Sequence, residues 1–96
     1  MVFSLLIGTK IYMSEKNSWF VYIVECVDGS LYTGVTNDLE KRMSAHKLGK
    51  GSKYIRAKGF GRLLAVKKCS DKISAMREEY RVKQLSKAEK IEWFKQ

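Results

Sequence analysis

Hydrophobic and polar positions fall into a short series of segments with different periods. Trp19 to Cys26 reads Trp-Phe-Val-Tyr-Ile-Val-Glu-Cys, β-branched and aromatic throughout, and stops at the turn signal Asp28-Gly29. Leu31 to Val35 reads as the antiparallel return strand of a hairpin. A helix is predicted from about Asp38 to Lys47, with Asn37 as its cap and Glu40 reaching back to the first free N–H groups. Leu48 to Arg62 carries four glycines among basic residues, which predicts an exposed basic loop with short or no regular structure. Leu63-Leu64-Ala65-Val66, followed by Lys67-Lys68-Cys69, predicts a third strand. A helix capped by Ser70 or Asp71 then runs to about Leu85, and Ser86-Lys87-Ala88-Glu89 is a capping-box pattern opening a last helix to Phe94. The order is ββαβαα and the class α+β. Residues 1–16 read as an N-terminal extension, with Met13-Ser14-Glu15-Lys16-Asn17 resembling a fresh start, and residues 17–96 as one domain.

The hairpin parity decides where two tyrosines go. A two-residue Asp28-Gly29 loop pairs Tyr22 with Val35 and puts Tyr22 and Tyr32 on opposite faces. A three-residue loop with Gly29 in the left-handed region pairs Tyr22 with Gly34 and brings Tyr32 to the same side. The second arrangement leaves space over Gly34 for a phosphate; ordinary half-buried strand tyrosines are the alternative in either case. On the first helix Arg42 and His46 share one face beside Leu39 and Met43, placed to meet an anion at the edge of a cleft or to serve as a surface arginine and a structural histidine. On the second long helix a 100° wheel puts Ile73, Ala75, Met76, Tyr80 and Val82 on one apolar arc, with Glu79 inside it and Glu78 beyond. An inward carboxylate needs a partner, either a base such as Arg42 or a divalent cation.

Charge sharpens the picture. The chain holds 19 Lys+Arg against 10 Asp+Glu, a net +9. The whole excess lies between Lys41 and Lys68, where ten basic residues occur without one acid. Such a run points to a polyanionic partner, with Lys41, Lys47, Lys50, Lys53, Arg56, Lys58 and Arg62 as phosphate contacts and Tyr54 either stacking on bases or pinning the loop to the body. Nucleic acid leads as partner. Attachment to acidic lipid is the weaker alternative, resting only on Ile91, Trp93 and Phe94 in the last helix, and packing of Trp93 onto the domain competes with it. No uncharged run is longer than that of Met1 to Thr9, which is too short for a bilayer and has neither a basic start nor a cleavage site, so a cytoplasmic, non-membrane protein is expected. Cys26 and Cys69 read as two buried thiols, and with one histidine they make no structural zinc set.

Together Val21-Tyr22-Ile23, Tyr32-Thr33-Gly34, Arg42, His46 and Glu79 resemble the GIY-YIG nucleases, in particular the small stand-alone bacterial members, over about Trp19 to Leu85. Two departures stand out: the first tripeptide lacks its glycine, and the asparagine that many members carry after the glutamate has no counterpart. The resemblance implies a three-stranded antiparallel sheet flanked by helices and a metal-dependent phosphodiesterase acting on DNA ahead of RNA. It assigns one Mg²⁺ (or Mn²⁺) to Glu79, proton abstraction to Tyr22, a pocket wall to Tyr32, phosphate binding to Arg42, and proton transfer or orientation to His46. A protein partner would supply target choice. The alternative is a basic DNA- or RNA-binding module that keeps the fold without cutting.

Overall fold

The computed structural model describes residues 18–95. The expected extension at residues 1–16 lies outside them. Strand β1 (Trp19–Cys26) is the middle of a three-stranded sheet, between β2 (Leu31–Thr36) and β3 (Phe60–Cys69), both antiparallel to it. Its central position explains the nearly unbroken apolar run, since both faces are covered. Phe20, Tyr22, Val24 and Cys26 point to one side and form the core cluster with Leu39, Met43 and Ile55. Val21 and Ile23, alternating to the other side, have no exposed surface either.

The hairpin takes the three-residue form. Cys26 N–H donates to the Ser30 carbonyl at 2.8 Å and Gly29, at φ +87°, turns the chain, so that Tyr22 stands opposite Gly34. A positive φ at this turn is what the glycine is for. Helix α1 (Leu39–Lys47) starts one residue later than the Asn37 cap would place it: Asp38 has a non-helical backbone, φ −144° and ψ 88°, and its carboxylate accepts the Lys41 N–H at 3.1 Å. The Asn37–Glu40 capping box is therefore not formed.

The basic segment is not all loop. Ser52 caps a short helix α2 (Lys53–Lys58), its hydroxyl accepting from Tyr54 and Ile55 N–H, and Gly59 ends it. The cause is Ile55, which is 1% exposed and anchors α2 in the core. Strand β3 begins at Phe60 rather than Leu63, and its register against β1 shifts twice, between Ile23 and Val24 and between Glu25 and Cys26.

Asp71 caps α3 (Lys72–Lys83), which packs along β1 and β2. Here the predicted arc is corrected. Ala75 and Val82 are buried, but Ile73, Met76 and Tyr80 are 64%, 48% and 71% exposed. The inward line runs Ala75, Glu78, Glu79, Val82, so both glutamates flank the packing face and Glu78 is not beyond it. Helix α4 (Lys87–Phe94) has the predicted capping box, and Trp93, half-buried, sits under the Lys67 ammonium at 4.2 Å. Cys26 and Cys69 are free, the first buried and the second half-buried. No helix among the described residues is long and apolar enough to cross a membrane.

Candidate active site

Three elements converge on one phenol. Tyr22 on β1 is completely buried, and its hydroxyl lies 2.8 Å from His46 Nε2 on α1. Tyr32 on β2 comes to the same side, its ring centroid 6.4 Å from that of Tyr22 and 5.6 Å from His46. Tyr54 on α2 stacks on Tyr32 at 6.0 Å with 30° between the planes, and remains 41% exposed. Four rings thus form a ladder from the sealed interior to the surface.

The space expected over Gly34 does not exist, because Tyr22 itself fills it. A β-carbon on Gly34 would stand 2.5 Å from the phenolic oxygen. Only glycine lets the two strands bring a tyrosine down onto the neighbouring backbone at this point.

Electrostatics set the protonation states. Burial, reinforced by Tyr32 and Glu79, pushes the Tyr22 phenol well above its ordinary value, against the opposing influence of the Arg42 guanidinium. Burial and the Arg42 charge both hold the His46 imidazole below its ordinary value. At neutral pH the pair is a protonated phenol beside a neutral imidazole, and which of the two donates across the Oη–Nε2 contact follows from which ring nitrogen carries the imidazole proton. The Nδ1 atom has no hydrogen-bond partner although His46 is 1% exposed; Thr33 Oγ1 is the other buried orphan among the described residues.

Glu79 enters from α3. It acts on the Tyr22 phenol electrostatically, but its ion pair is with Lys83 at 3.2 Å, one turn along the same helix, rather than with Arg42. Glu78 is taken by Arg81 at 3.0 Å and Lys67 at 3.9 Å. Among the described residues no group of three or more His, Cys, Asp or Glu side chains could hold a metal ion. A single half-buried carboxylate, already paired with Lys83, offers too few donors for a closed zinc-type shell; the ion it could hold is a hard cation that keeps most of its water, such as Mg²⁺.

The basic residues divide into two groups. Lys58 pairs with Asp28 at 3.4 Å and lies 5.8 Å from the Tyr54 ring centroid, Arg62 pairs with Glu25 at 2.7 Å, and Lys47 lies over Phe60. Lys41, Lys50, Lys53 and Arg56 are exposed and make no ion pair among the described residues. Three of these, Lys50, Lys53 and Arg56, line a cavity with Gly49, Gly51 and Ser52. Sequence reasoning missed this cavity and the packing of Gly51 on His46. The Gly-Lys-Gly-Ser run ahead of an apolar Ile55 was the available signal.

Comparison with known proteins gives one family. The model described as the GIY-YIG catalytic domain matches residues 18–92. The UPF0213 protein OB0043 of Oceanobacillus iheyensis is 53% identical over 79 residues, covering 82% of this chain and 90% of that protein. The UPF0213 protein YhbQ of Escherichia coli is 46% identical over 72 residues, covering 75% of this chain and 72% of that one. The solution NMR structure of the UPF0213 protein BH0048 from Bacillus halodurans is similar at a TM-score of 0.50 and 48% identity, over 79% of this chain and 81% of that chain.

Proposed function

This chain belongs to the GIY-YIG family, of nuclease type, and from that premise we propose that it is a divalent-metal-dependent phosphodiesterase acting on nucleic acid, DNA ahead of RNA. One observation carries the reading: the Tyr22–His46 hydrogen bond, in ring contact with Tyr32, on which both Arg42 and Glu79 act. In this reading Glu79 holds a single Mg²⁺ or Mn²⁺ ion. When bound, that ion supplies positive charge against the negative charge that grows on the phosphate.

The chain's own residues do the rest. Tyr22 rests as the protonated phenol, so it accepts a proton from the attacking water only as it gives its own to His46 Nε2, 2.8 Å away. His46 is the fitting acceptor because its environment keeps it neutral. Arg42 binds the phosphate and stabilises the transition state, and Tyr32 lines the pocket between the interior rings and Tyr54. The free lysines and Arg56 hold the backbone without reading sequence.

The rival is a basic module that binds without cutting, and one observation favours it: Tyr22 has no exposed surface. Labelled duplex, flap, junction and single-stranded substrates, with Mg²⁺ or EDTA, decide between them. Metal-dependent product is expected, with Tyr22→Phe and Glu79→Ala each lowering cleavage by at least ~10²-fold while binding changes less than about twofold. Binding that falls in step with cleavage overturns the assigned roles, and salt-sensitive binding without product establishes the module.

A further inference from the structure

The cavity on the α1–α2 connection is separate from the Tyr22 pair yet shares a wall with it. It measures about 460 Å³ and is bounded by Gly49, Lys50, Gly51, Ser52, Lys53 and Arg56. A space of that size takes a phosphate with part of its sugar. Lys58 and Arg62 are held by carboxylates of the same molecule, whereas Lys50, Lys53 and Arg56 have none among the described residues. Their positive charge is uncompensated and converges on one opening.

The second observation comes from behind the wall. His46 Nδ1 is buried without a partner, and the backbone at Gly51 lies directly on it: a β-carbon there would collide with Nδ1 and stand 2.8 Å from Cε1. Nδ1 therefore faces a cavity-lining residue rather than a hydrogen-bond partner, and it carries the ring proton in the tautomer in which the Tyr22 hydroxyl donates to Nε2. An orphaned buried donor is costly. Negative charge in the cavity would act on the His46 ring electrostatically, without completing a hydrogen bond.

We propose that this cavity is a phosphate-binding subsite, separate from the position of the scissile phosphate, and that His46 senses its occupancy through Gly51. The subsite rests on the nucleic-acid reading above and is independent of cleavage. Its ligand is a phosphate carried by the polynucleotide, either an internal diester or a terminal monoester. Four surroundings act on the imidazole: the Tyr22 hydroxyl from β1, the Tyr32 ring from β2, Arg42 one turn earlier on α1, and the Gly51 wall. Arg42 and burial disfavour the imidazolium; a phosphate beyond Gly51 opposes both, and so helps His46 to take the proton from Tyr22.

His46 is the only histidine in the chain, so its imidazole gives a single unambiguous NMR signal. The full chain is titrated with inorganic phosphate, then with 5′-phosphorylated and 5′-hydroxyl forms of one short oligonucleotide, against sodium chloride at matched ionic strength. Saturable shifts of the His46 ring and the Gly51 to Lys53 amides are expected with phosphate and not with chloride, together with a rise in the pH midpoint of the imidazole. The Lys50→Ala/Arg56→Ala variant, altered at two exposed positions, should keep its spectral dispersion and bind about tenfold more weakly or worse. Tighter binding of the 5′-phosphorylated form identifies a strand terminus, and equal binding identifies an internal diester. Shifts matched by chloride, or undiminished in the double variant, overturn the subsite. Loss of metal-dependent cleavage alone would overturn the nuclease reading and leave this measurement intact.

Discussion

A β-carbon at position 34 would meet the Tyr22 hydroxyl at 2.5 Å and its ring carbon Cζ at 2.7 Å, inside a region with no exposed surface into which the ring can retreat. Gly34→Ala is therefore expected to lower stability by about 1–3 kcal/mol, read by thermal unfolding, and to break the Tyr22–His46 hydrogen bond. A variant as stable as the parent would show that the strands yield more readily than their packing implies. His46 provides a second handle. Burial and the Arg42 charge hold the folded-state imidazole below its ordinary value of about 6.5, so near pH 6 the unfolded chain binds more protons than the folded one. Stability is then complete above about pH 6.5 and is lost as pH falls through the lower folded-state value. Unfolding midpoints between pH 7.5 and 5 should fall in the parent and stay flatter in His46→Gln; parallel curves would remove the histidine as the cause. Much of this residue-level pattern was legible in the sequence, because Tyr22, Tyr32, Arg42 and His46 sit on elements whose period is plain. The hairpin parity was not, since two loop lengths fit the same Asp28-Gly29 pair and only the Cys26–Ser30 closure separates them.

The elements differ in what fixes them. Helix α4 depends on local chemistry: Ser86 accepts the Glu89 N–H at 3.2 Å and Glu89 returns to the Ser86 N–H at 2.8 Å. Ser86→Ala should cost about 1 kcal/mol, visible as faster hydrogen exchange within α4, and an unchanged exchange pattern would mean that packing of Trp93 and Phe94 alone holds it. That helix was fully legible for the same reason, a reciprocal pair spaced three apart. Helix α3 was not. Its composition predicts an apolar arc through Ile73, Met76 and Tyr80, yet β1 and β2 receive the narrow side bearing Ala75 and Val82, where a small residue lets the backbones approach. A wheel counts hydrophobicity and is blind to which side fits closest. The basic segment was read as loop because its glycines and lysines outnumber its apolar residues, although one buried side chain, Ile55, was enough to fix a helix of six residues.

At the scale of the molecule, charge and burial are segregated. Acids hold Lys58, Arg62, Lys67, Arg81 and Lys83, while the exposed Lys41, Lys50, Lys53 and Arg56 around α1 and α2 make no ion pair among the described residues. Binding to duplex should weaken steeply with salt. Lys41→Ala should reduce the slope of log K against log salt by about 0.9, whereas Lys95→Ala, far along the chain on α4's end, should leave it unchanged; equal slopes for all three proteins would place the contact elsewhere. The net charge and its location could be counted from the sequence, but not which cations their own acids would quench, since Glu25 meets Arg62 only across the β1–β3 pairing. The ring ladder has a last consequence. The chain is strongly cationic, yet its innermost phenol has no exposed surface and lies in ring contact with Tyr32, on which Tyr54 stacks. On the proposed reading, binding and cleavage are thereby uncoupled: contact with the basic surface alone does not reach Tyr22, and cutting requires a strand that displaces the stacked rings.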